Sequence, residues 1–190
     1  RPDGVRPGGR DSTLQLLASR FDSESGSSTA SSVSPQEWME LDREFTQFQQ
    51  RRKAANVGAQ ESQARGDAEA ASTLFRTAGE DAQHCLAIIA FARRRHPSQQ
   101  LSAARSELIP AMTAQKWIAD SNRRLVLGNH QDALNCIQRG VAEVTTLLQQ
   151  NGEVDPASNA CLRDMRIVER TIEQAASATA PNVNSVSIPS

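Results

Sequence analysis

Gly128-Asn129-His130-Gln131-Asp132-Ala133-Leu134-Asn135-Cys136-Ile137-Gln138-Arg139-Gly140 reads as a helix-turn-helix elbow. Glycine supplies the turn, the polar residues after it open a helix, and Ala133 and Gly140 are small enough for a neighbouring helix to come close. A fainter copy lies upstream. There Gly66, Ala71, Phe75 and Ala78 align without a gap on Gly128, Ala133, Ile137 and Gly140. Two such elbows predict an all-α chain of about five helices, packed as antiparallel hairpins, with extended N- and C-terminal tails.

Composition agrees with that reading. The chain has 190 residues, 38% of them hydrophobic and only 4% aromatic, so a core has to be built from Leu, Ile, Val and Ala. Alanine-rich contacts suit closely approaching helices better than strands, which favour aromatic and β-branched residues. A formal charge of -1 argues against broad attraction to nucleic acid or anionic membrane. Cys85, Cys136 and Cys161 form no pair at zinc spacing, and no run approaches the ~18 apolar residues of a membrane span. No metal or cofactor is expected, and a reducing cytoplasmic compartment is the simplest expectation. The chain opens at Arg1 rather than methionine, which fits a processed chain or a piece of a longer one.

Three regions follow from the order of the chain: an arm over 1–33, a helical domain over 34–178 and a flexible tail over 179–190. The arm begins Arg1-Pro2-Asp3-Gly4-Val5-Arg6-Pro7, whose prolines and glycines exclude regular structure. Arg1, Arg6 and Arg10 suit bidentate contact with carboxylate or phosphate. Asp11-Ser12-Thr13 caps a short helix carrying Leu14, Leu17 and Phe21, which needs a partner surface to be stable. These six residues are the expected partner-binding set. Residues 22–33 read as a Ser-rich linker.

Ser34-Pro35-Gln36-Glu37 is a capping box that opens the helical domain. Trp38, Leu41, Phe45 and Phe48 then form an apolar stripe, opposite Glu40, Arg43, Glu44 and Gln47 on the water side. That first helix runs to the low 60s, loosened near Gly58. The second runs from Gly66-Asp67 to Arg93-Arg94-Arg95-His96, where cations complement the helix dipole before Pro97. Ser98 caps a third, with Leu101, Ala104, Leu108, Met112, Ile118 and Leu125 inward and Pro110 kinking or dividing it. The fourth starts at the Gly128 elbow and stops at Gly152. A fifth starts at Asp155-Pro156 with Leu162, Met165, Val168 and Ile172 on one side.

The elbows resemble the second half of a tetratricopeptide repeat, with Trp117 where the first helix of such a repeat often carries tryptophan. The two glycines stand farther apart than the regular period of about 34 residues, which implies isolated hairpins rather than a continuous groove. Asp67, Glu69, Ala71 and Leu74 also resemble the UVR motif, a helical hairpin used for protein contacts. The order of Arg-Pro segment, Ser12, Leu16-Leu17, helix and two elbows over residues 1 to about 150 is similar to bacterial UvrB/UvrC-motif-containing proteins. That family is poorly characterised, so the resemblance carries over no repair activity; what it suggests is a nucleic-acid-associated accessory role.

Nothing in the sequence announces a reaction. His84, His96 and His130 stand apart, with His84 three residues after Asp81 as a helix-surface pair. Nucleophile-elbow and phosphate-loop signatures are absent. No catalytic residue is assigned, and a non-enzymatic interaction or assembly subunit with protein partners is expected. The alternative is a nucleic-acid accessory factor related to DNA repair, suggested by the family resemblance and by Arg51-Arg52-Lys53 and Arg93-Arg94-Arg95.

Overall fold

The computed structural model describes residues 12–23 and 32–179, without the side chains of 99–102 and 179. Arg1, Arg6, Arg10, most of the Ser-rich linker and the tail from residue 180 onward lie outside the described residues, as does the side chain of Leu101. Among the described residues the chain is all helical: α1 (Thr13–Ser23), α2 (Pro35–Ala64), α3 (Ala68–Arg95), α4 (Gln99–Ser106), α5 (Ile109–Val126), α6 (His130–Gln150), a single 3₁₀ turn (Pro156–Ser158) and α7 (Ala160–Thr179). No helix among them is long and apolar enough to cross a membrane.

Local chemistry sets most of these boundaries. At the start of α2 the Ser34 hydroxyl accepts from the Glu37 N–H at 3.3 Å, while the Glu37 carboxylate accepts from the Ser34 N–H at 2.8 Å. Both bonds satisfy donors that a helix start leaves orphaned. The helix then runs through Gly58 to Ala64 without the expected loosening. The expected third helix is two. Pro110 sits in the first turn of α5, where its missing N–H costs nothing, and Glu107-Leu108 form the break. Ala104 and Leu108 are therefore exposed rather than inward. At the other end of the arm, α1 takes up Asp22 and Ser23, which shortens the linker. Thr179, expected to open the tail, is the last residue of α7.

The helices stack in chain order as two three-helix units that share α5. Pairs between α2 and α3 fall in opposite order along the two helices. Ala59 packs with Ala71 and Phe75, then Arg51 pairs with Asp81, then Trp38 and Leu41 meet Ile88, Phe91 and Ala92. That is an antiparallel hairpin. α5 closes the first unit, with Ala55, Ala78 and Ala119 forming an all-alanine seam and Met112 lying on Cys85 and Ile89. In the second unit Ala114, Ile137, Val144, Leu148, Leu162, Met165 and Ile172 make an aliphatic core among α5, α6 and α7. Each large aliphatic side chain buried this way contributes about 1.5–3 kcal/mol.

α1 lies across one end of this stack. Leu14, Leu17 and Phe21 enter a single cluster with Trp38, Leu41, Ile88 and Phe91, and the other four clusters contain no α1 residue.

Candidate helix-docking site

The seat of α1 is built from the open ends of the α2–α3 hairpin. Its floor is apolar: Leu41 has no exposure, Ile88, Phe91 and Trp38 are nearly closed off, and Leu17 of α1 is fully buried against them. Phe21 lies 5.9 Å from the Phe91 ring centroid, and Trp38 lies 6.0 Å from the same ring. The Arg95 guanidinium stands 4.4 Å over the Phe21 face, a cation–π contact that ties the last residue of the Arg93-Arg94-Arg95 turn to α1.

Polar groups hold the two ends of α1. At its start, Glu44 accepts from the Thr13 N–H at 2.5 Å through one oxygen and pairs with His84 Nε2 at 2.6 Å through the other. The Ser12 hydroxyl accepts from the Gln15 N–H at 2.9 Å, so two orphan donors of the first turn are met. Toward its end, Arg20 donates to Glu37 at 2.6 Å. A cavity of about 450 Å³ opens between α1 and the first turns of α2, lined by Thr13, Leu16, Arg20, Ser32, Ser34, Gln36, Glu37 and Glu40.

Glu44 overturns an expectation. Sequence spacing put it on the water side of the first helix, yet it is only 7% exposed. Burial pushes its carboxyl up, but the hydrogen bonds from His84 and Thr13 outweigh that and hold it below its ordinary value. Glu37 is likewise held low: burial raises it, and the bonds from the Ser34 N–H and Arg20 prevail.

His84 pairs with Glu44 and not with Asp81, its expected helix-surface partner. Its ring stacks on Phe48 at 3.9 Å between centroids, and the Arg51 guanidinium lies 4.5 Å over that phenylalanine. Arg51 in turn donates to Asp81 at 2.8 Å through Nε. Asp81 has no exposure at all, so it serves as an interior anchor between α2 and α3. Arg52, one position on, is also buried and donates to Gln115 of α5 at 2.7 Å. Two members of the Arg51-Arg52-Lys53 cluster are thus spent on internal pairing. Arg93, Arg94 and Arg95 remain exposed.

The cysteines are placed as small apolar groups. Burial pushes the Cys85 thiol up to about 11, with Arg52 pulling the other way, so it stays protonated and unreactive near neutral pH. Cys136 is buried in α6, where its sulfur accepts from Arg124 at 3.3 Å.

The elbow residues come together as packing elements. Ala71, Ala78, Ala133 and Ile137 have no exposure, and Phe75 has 2%. Gly140 lies tight against side chains of α5 and α7. A methyl group built there would stand 2.5 Å from Trp117 Cγ, 2.6 Å from Trp117 Cβ and 2.8 Å from Met165 Cε. Trp117 is held in that position by its indole N–H, which donates to Glu143 at 2.8 Å.

Of the expected partner-binding residues, Leu14, Leu17 and Phe21 are thus covered by the chain's own helices and do not form a free surface. Sequence reasoning missed the acceptor for α1, Glu44, and its support, His84. The one signal available was that Glu44 stands one turn from Leu41 and Phe48, at the edge of the apolar stripe. Comparison with protein-family models, with curated proteins and with solved structures finds no match to this chain.

Proposed function

We propose that this chain is a non-enzymatic protein–protein interaction or assembly subunit, a helical scaffold of tetratricopeptide-like hairpins whose termini dock on partner proteins. The observation that carries this reading is α1 itself. An amphipathic helix lies on the end of the α2–α3 hairpin, gripped by an apolar floor and by a carboxylate at each end. Such a surface recognises helices, the mode in which an apolar stripe fills a groove. The buried ionic groups support it too, since Asp81, Arg52 and Glu44 are each engaged by a side chain of another helix.

Affinity purification of the full chain under native conditions tests the reading. A discrete protein retained in fixed stoichiometry is the expected result, and a chain that purifies alone at every salt concentration counts against it.

The second reading is a nucleic-acid-associated accessory factor. It keeps the exposed Arg93-Arg94-Arg95 turn and loses Arg51 and Arg52. It requires binding to DNA or RNA that weakens steeply with salt. Absence of binding at low salt disposes of it.

A further inference from the structure

α1 is placed so that it could leave without opening the rest of the core. Its apolar residues enter one cluster, and the alanine seam, the Cys85–Met112 contact and the aliphatic core of the second unit are built without it. With 11 residues it is also too short to hold helical structure alone, so it is a helix only while docked. The seat beneath it is specific. It takes two leucines and a phenylalanine at α1's spacing, offers Glu44 to the N–H groups of a helix start, and offers Glu37 to a cation near the other end. The fit with α1 is incomplete, because the Trp38 indole N–H, buried in the same cluster, has no acceptor among the described residues. A buried donor left unmet makes a ligand weaker than the seat allows.

We propose that this seat is a docking site for an amphipathic helix of a partner protein, and that α1 is its built-in competitor. The partner helix carries bulky apolar residues at the spacing of Leu14, Leu17 and Phe21, a free first turn for Glu44 and a basic residue for Glu37. This rests on the reading of the chain as an interaction subunit and deepens it by naming the surface. In the resting chain α1 covers the floor. A partner helix gains access in proportion to the fraction of molecules in which α1 has lifted, so its apparent affinity is lowered by that fraction.

The test uses the full chain and a labelled synthetic peptide of residues 12–23 as the probe. Leu17→Glu places a charge where no exposure exists and so undocks α1; Leu14→Ala combined with Phe21→Ala does the same more gently. The peptide should bind either variant saturably and the wild-type chain at least about tenfold more weakly, since there it competes with α1. Glu44→Gln added to Leu17→Glu should weaken the peptide by about threefold or more through loss of the charged acceptor. Excess peptide should displace a protein partner retained by the full chain. The proposal is overturned by no peptide binding to either variant while circular dichroism keeps its helical signal, by equal binding to variant and wild type, or by a wild-type dimer that Leu17→Glu makes monomeric. A dimer of that kind would assign the seat to α1 of a second copy. A retained partner that excess peptide does not displace leaves the assembly reading standing and overturns this inference alone.

Discussion

At Gly66 and at Gly128 the backbone turns in the same way, and the helices that follow pack in different ways. Both glycines have a left-handed φ, 77° and 78°. At the first turn the Gly66 N–H donates to the Gln63 carbonyl and the Asp67 N–H to Ser62; at the second the Gly128 N–H donates to Leu125 and the Asn129 N–H to Arg124. These two bonds match in register, and they satisfy carbonyls that a helix end leaves open. After the first turn the small residue is Ala78, which meets Ala55 and Ala119 as one methyl group among three. After the second it is Gly140, which lies against the root of the Trp117 side chain with no room for a methyl. Matching turns therefore do not make matching interfaces. What separates them is whether the opposite helix presents a methyl or an indole.

That contrast can be broken most sharply at Gly140. Gly140→Ala forces a carbon into Trp117 Cβ and Cγ, atoms too near the backbone to swing away. The expected loss is about 2–3 kcal/mol, the range for overpacking a filled core, read as a lower urea midpoint. Ala78→Gly should cost about 1 kcal/mol, the helix-propensity difference, and it removes only a methyl. Equal losses at the two positions would mean that the α5–α6 contact is no tighter than the alanine seam.

The turns themselves should respond alike. Neither Gly66 nor Gly128 has any atom within 4 Å of where a Cβ would stand, so only backbone strain opposes a side chain. Gly66→Ala and Gly128→Ala should each cost about 1–2 kcal/mol. A large inequality in thermal or urea unfolding would show that the turns are not equivalent. The helix starts beyond them do differ. Asp67 accepts from the Ala70 N–H at 3.0 Å, whereas Asn129 makes no side-chain cap bond. Asp67→Ala should lose about 1 kcal/mol and Asn129→Ala a few tenths, roughly the value of a cap against its absence.

The smallest effect expected is acid sensitivity confined to α1. Glu44 and Glu37 both have folded-state values below their ordinary ones, so what they contribute to docking is present above the ordinary carboxylate range. It is lost as pH falls through the lowered folded values, because the protonated carboxyl no longer holds Thr13 or Arg20. Acidification should therefore loosen α1 while the second unit keeps its packing, seen as a change in Trp38 fluorescence that Trp117 does not share. Single-tryptophan variants separate the two signals. Simultaneous change at both would show that α1 and the second unit unfold together.

Most of the helix ends were legible in the chain itself, because they are made of bonds between residues a few positions apart. The capping box at Ser34 and Glu37 and the glycine turns satisfy backbone groups within one turn, and Pro110 marked a kink or division of the third helix without showing that it heads a new one. The apolar stripes of α3, α6 and α7 were legible for a similar reason, since helical spacing fixes which side chains share a face. Charged residues at the margin of a stripe were not. Glu44, Asp81, Arg51 and Arg52 look solvent-facing by spacing, and each is bound by a partner at least 30 residues away. Which side of the boundary such a residue takes depends on what the neighbouring helix offers it, and no local pattern carries that information.

The same division holds for the stretch from Gly128 to Gly140. The chain alone determined that it turns, that a helix follows, and that the helix carries small residues for close approach. Only the tertiary structure decided that the approaching group is Trp117, held by Glu143, and that the leucines and phenylalanine of α1 are folded inward rather than left for a partner. Turns and caps are settled by bonds within a few residues. The occupant of a groove is settled by shape and charge brought together from distant parts of the chain.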